Sequence, residues 1–73
     1  MTRKELVKLV ESGKATAYEA ASYRVNAYLQ ENGRFMGRNE VIRVATILAK
    51  DWNLNESETT KLKEFAIYVY IRL

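Results

Sequence analysis

The chain has 73 residues, 48% of them apolar, with no cysteine, histidine or proline, and twelve basic residues against nine acidic ones leave it at +3. Without cysteine there is no disulfide framework and no thiolate metal site, and without histidine the commonest general base and neutral metal ligand are missing. The length allows one domain, the apolar content argues against disorder, and no apolar run reaches the ~18 residues of a membrane span.

Charged residues interrupt the start, MTRKELVKLVESGK, throughout, so it does not read as a signal peptide. The expectation is a soluble cytoplasmic protein, bacterial or viral, with no cofactor. The basic excess lies early: residues 1–14 carry +2, residues 15–38 carry +1, and Asn39–Leu73 balances to zero. That could help contact with an acidic partner, but it is mild beside the basic stripe of a nucleic-acid binder.

The first helix is expected over about Arg3–Ser12. Thr2 and Glu5 form a T-x-x-E capping box, in which each side chain satisfies a free backbone N–H of the other. Leu6, Leu9 and Val10 make its apolar stripe, with Val7 at the edge. Gly13 follows as a stop, because glycine enters the left-handed conformation cheaply.

A second capping box, Thr16 with Glu19, opens the next helix, which Asn32-Gly33 ends. Ala17, Ala20, Ala21, Ala27 and Leu29 supply its apolar positions, with Tyr18, Tyr23 and Tyr28 among them. The alanines allow close backbone approach, and the short link Gly13–Ala15 implies an antiparallel pair.

The clearest loop is Gly33-Arg34-Phe35-Met36-Gly37-Arg38. Asn39 is then expected to cap a third helix over roughly Glu40–Trp52. Val41, Val44, Ala45, Leu48 and Trp52 recur in it at three- and four-residue spacing, with Ile42 and Ile47 broadening the stripe. Asn53 is expected to close this helix.

An N-x-x-E box, Asn55 with Glu58, opens the fourth helix, about Glu56–Arg72. Leu62, Phe65, Ala66, Val69 and Leu73 fall on one face of it. Ile67 and Ile71 lie on the back with Tyr68 beside them and Tyr70 at the margin. A helix apolar on both sides is either buried all round or faces a partner. Phe65–Leu73 also suits a strand by composition, but no second strand exists to pair with it. The expected fold is all-α, a bundle of four short helices forming a single domain over residues 1–73.

No arrangement of residues points to catalysis. Ser12, Ser22 and Ser57 read as helix-surface or capping residues. Glu56 and Glu58, two apart, do not face each other on a helix. No glycine-rich phosphate loop follows a strand.

Three features suggest binding. In the loop, Phe35 and Met36 either plug the end of the bundle or form an exposed hot spot rimmed by Arg34 and Arg38, with Arg24 and Arg43 extending the basic rim. The tyrosines Tyr18, Tyr23, Tyr28, Tyr68 and Tyr70 form either a core boundary or an aromatic interface. The segment Leu48–Lys63 resembles a helix-turn-helix, with small Ala49, Asn53 at the turn glycine and apolar Leu54. Its DNA contacts would be Asn55, Thr59, Thr60, Lys61 and Lys63. Against this, Thr59 stands where a buried Val or Ile belongs. Glu56 and Glu58 also occupy the tip that phosphates would repel.

Tiny, basic, helical, lacking Cys and His and empty of catalytic groups, the chain resembles as a class the small bacteriophage-encoded inhibitors of bacterial RNA polymerase. The resemblance rests on no residue motif and carries over no site residues. It implies binding to a polymerase subunit and interference with transcription. The expected function is therefore a non-catalytic regulator acting by occlusion or bridging. Its protein-protein interaction would run through Arg34, Phe35, Met36, Arg38 and Arg43, or through Ile67, Tyr68 and Ile71. The rival is a homodimeric DNA-binding repressor paired through the back of the last helix.

Overall fold

The computed structural model describes residues 1–73 and contains no strand. Its elements are α1 (Arg3–Glu11), α2 (Ala17–Asn32), a 3₁₀ turn at Gly33–Phe35, α3 (Arg38–Asp51) and α4 (Glu56–Ile71). The protein is an all-α bundle of four helices, and Phe65–Ile71 is helical.

Local chemistry sets most of the boundaries. Thr2 Oγ1 accepts from the Glu5 N–H at 3.2 Å, and Glu5 Oε1 accepts from the Thr2 N–H at 2.9 Å. The same reciprocal pair forms between Thr16 and Glu19 and between Asn55 and Glu58. The start of α3 differs from expectation. Gly37 is its cap, not Asn39, and the helix begins at Arg38. Glu40 selects this register by accepting from the Gly37 N–H at 3.2 Å. Glycine has no side chain with which to reciprocate, so only half of the capping box is written in the sequence.

Two helix ends share one device. Gly13 at φ 76° and Asn53 at φ 54° both take the left-handed conformation. After α1, the Lys14 N–H reaches the Leu9 carbonyl and the Gly13 N–H that of Val10. After α3, the Leu54 N–H reaches Ala49 and the Asn53 N–H reaches Lys50. These are Schellman closures, which satisfy carbonyls that the helix itself leaves free. They make Ser12 and Trp52 C-caps rather than helical residues.

The core comprises Leu6, Ala20, Ala21, Val25, Leu29, Val41, Ala45, Ala49, Trp52, Leu62, Ala66 and Val69. Five of these twelve are alanines, so α2, α3 and α4 approach closely and large side chains are few. α4 packs against both α2 and α3, whereas α1 contributes only Leu6 to the fully buried set. A bidentate pair from Arg3 to Asp51, at 2.9 and 3.0 Å, ties α1 to the end of α3.

Several side chains sit elsewhere than the periodicity suggested. Val25, lost in the sequence between Arg24 and Asn26, is fully buried. The buried stripe of α2 runs Ala21, Val25, Leu29, four apart, and leaves Ala27 exposed on the other side. Ile47 also faces out instead of broadening the α3 stripe. Leu73 lies beyond α4 and packs its side chain against Gly33. Every helix keeps exposed residues along an outward face.

Candidate docking surfaces at the loop end and on the last helix

The loop after α2 is a single 3₁₀ turn with three residues per turn, so positions three apart share a side. Gly33 is buried and Met36 is half-buried against the core, while Arg34 and Phe35 point outward. The two readings of the loop are therefore divided between its apolar residues. Met36 plugs the bundle, and Phe35 is 88% exposed. The Met36 N–H donates to the Gly33 carbonyl at 3.2 Å, and its own carbonyl accepts from the Tyr70 hydroxyl at 2.8 Å. The turn is thus held at both ends. Arg38, in the first turn of α3, is exposed on the far side of Gly37. Arg43 is five residues further on, about 140° round the helix, so it does not join this rim. Arg24 belongs elsewhere again, half-buried in a groove described below.

The back of α4 carries a second surface. Tyr68 is 53% exposed and Ile71 is 72% exposed. Ile67 does not belong with them, because it turns toward the neighbouring helices and packs against the core. The Arg72 guanidinium lies 3.7 Å from the centre of the Tyr68 ring, a cation–π contact one helical turn along.

Of the residues of the helix-turn-helix resemblance, Asn55, Thr59 and Thr60 spend their side chains on bonds within the first turns of α4. Asn55 Oδ1 accepts from the Glu58 N–H. The Thr59 hydroxyl donates to the Asn55 carbonyl at 2.8 Å and that of Thr60 to Glu56 at 3.1 Å. Lys61 is exposed and Lys63 half-buried, and two residues apart they point to different sides of α4. Asn53 does take the left-handed turn that the motif uses.

A third feature was not legible in the sequence. Met1, Tyr23, Arg24, Ala27, Tyr28, Glu31 and Leu48 line a shallow groove of about 350 Å³. The N-terminal ammonium donates to the Tyr23 hydroxyl there at 3.2 Å. The exposed Tyr23–Ala27–Tyr28 face of α2 was the only signal for it. The tyrosines accordingly divide: Tyr18 and Tyr70 pack at the core boundary, and Tyr23, Tyr28 and Tyr68 face outward.

Three ionisable groups around α1 and the end of α3 are perturbed. The Arg3 hydrogen bond and charge hold the Asp51 carboxyl below its ordinary range, with a smaller contribution from Arg24, and Asp51 in turn raises Arg3. Hydrogen bonds from the Thr2 backbone and hydroxyl lower Glu5. The Arg3 guanidinium also lies 5.2 Å from the centre of the Trp52 ring, whose buried Nε1 has no hydrogen-bond partner. No three Asp or Glu side chains converge as a metal site would require, and no helix is long and apolar enough to cross a membrane.

No protein-family model, curated protein or solved structure matches this chain.

Proposed function

We propose that this chain is a non-catalytic regulatory protein that docks on a partner protein through Phe35, with Arg34 and Arg38 as a basic rim. The observation that carries this reading is the exposure of Phe35 on a turn whose neighbours, Gly33 and Met36, are fixed to the bundle. A large ring left in water does nothing for folding. Aromatic side chains dominate interface hot spots, and a turn already held in shape loses little entropy on binding. The complementary surface is an apolar pocket bordered by carboxylates. The protein acts by occlusion or bridging. Its target, following the resemblance to phage-encoded regulators, is a subunit of bacterial RNA polymerase, and its effect is on transcription.

The test is a pull-down from nuclease-treated bacterial lysate with the wild type, Phe35→Ser and Arg34→Ala/Arg38→Ala. The wild type should retain a stoichiometric protein partner. Phe35→Ser should lose it with its melting temperature unchanged, and the arginine variant should bind more weakly. Retention of the same partner by Phe35→Ser would reject the docking site. Recovery of nucleic acid alone, lost on nuclease treatment, would favour the helix-turn-helix repressor instead.

A further inference from the structure

We propose that two copies of this chain pair through α4, antiparallel, about a twofold axis at Tyr68. Along the outward side of α4, Lys61, Glu64, Tyr68 and Ile71 follow one another at spacings of three, four and three residues. That is the spacing of a helix–helix seam. All four are exposed, and Ile71 has no cover within the chain.

Charge selects the occupant. Glu64 and Arg72 stand four residues before and four residues after Tyr68. Neither forms an ion pair within the chain, where the single pair is Arg3–Asp51. Arg72 is nevertheless held on this side by its contact with the Tyr68 ring. In an antiparallel pair centred on Tyr68, a residue four before the centre meets one four after it. Glu64 then faces the partner's Arg72, and Arg72 faces the partner's Glu64. A parallel pair would set Glu64 on Glu64 and Arg72 on Arg72, which repel. A twofold interface must be complementary to itself, and this stripe supplies its own complement only in the antiparallel sense. Tyr68 meets its own copy on the axis, and Ile71, three residues along, lies between it and the charge pair at either end. A seam of one helix pair falls at the small end of specific interfaces, so the dimer depends on concentration. The seam uses none of Arg34, Phe35 and Arg38, so this inference and the docking of Phe35 stand or fall separately.

The test is sedimentation equilibrium of the full chain from about 1 μM to about 1 mM. The wild type should pass from monomer to dimer. Glu64→Arg and Arg72→Glu should each weaken the dimer by on the order of tenfold, because each places two like-charged pairs across the axis. An equimolar mixture of the two variants should recover wild-type affinity as a heterodimer, since every charge then meets its opposite. The doubly substituted chain, Glu64→Arg/Arg72→Glu, should recover it alone. Both side chains are exposed, so the fold survives these changes. The recovery in the mixture cannot come from an effect on the monomer. A wild type that stays monomeric throughout overturns the proposal, as does a mixture no tighter than either variant by itself.

Discussion

The Tyr70 hydroxyl donates to the Met36 carbonyl oxygen at 2.8 Å, joining residues 34 positions apart in the chain. This bond sets the height of the loop above α4. It lets Met36 turn in, and the three-residue period of the turn then sends Phe35 out. Tyr70→Phe keeps the ring and removes only the donor. It should cost about 0.5–1.5 kcal/mol in urea denaturation, the usual net contribution of one hydrogen bond. Amide exchange at Met36, whose N–H donates to the Gly33 carbonyl, and at Gly37, whose N–H donates to Glu40, should quicken. An unchanged midpoint would mean that water replaces the bond without loss.

Gly33 and Leu73 occupy one space. A Cβ on Gly33 would overlap Leu73 Cδ1, so the two cannot keep their places together. The backbone of Gly33 is helical, φ −59°, and alanine suits that conformation better than glycine. The atom in the way is the far end of a side chain that can swing aside. Gly33→Ala should therefore be close to neutral, within about 0.5 kcal/mol. In a Leu73→Ala background, with the obstacle gone, it should stabilise by about 0.4–1 kcal/mol. A double-mutant cycle reads the difference as a coupling energy. Additive effects would show that Leu73 does not rest on Gly33 in solution.

Leu62 and Phe65 divide the load on α4 unequally. Leu62 is completely buried, whereas Phe65 is half-buried at the edge of the core. Leu62→Ala should cost about 2–5 kcal/mol, since the removed methyls leave a cavity in a close-packed centre. Phe65→Ala should cost less, roughly 1–3 kcal/mol, because its ring is already partly in water. Denaturant midpoints in the reverse order would move the centre of the core toward Phe65.

Acid should weaken the link between α1 and α3. The Arg3 hydrogen bond and charge hold the Asp51 carboxyl below its ordinary value, so the unfolded chain binds the proton first. The stability this gives is complete above the ordinary aspartate value, about pH 4, and is lost as pH falls through the lowered folded value. Glu5, lowered by the Thr2 cap, acts in the same direction. Asp51→Asn should therefore melt below the wild type at pH 7, with the gap closing as pH falls below the ordinary aspartate value and through the lowered folded one. The pair is half-exposed, so the gap should be modest and should shrink with added salt. A gap that persists unchanged at pH 2 would assign the loss to packing at position 51, not to charge.

The sequence by itself determined where the helices start and stop. Three capping boxes, one left-handed glycine and one left-handed asparagine act within five or six residues, so no distant part of the chain is needed to read them. The exception is the start of α3, whose cap, Gly37, has no side chain with which to mark it. The tertiary structure alone decided which apolar residues are covered. Val25 is buried between a charged and a polar neighbour, Ala27 is exposed, Met36 turns in where Phe35 turns out, and Ile67 packs while Ile71 does not. Each of these outcomes depends on which helix lies opposite. Burial is a property of two surfaces meeting, and the pattern along one helix specifies only its own.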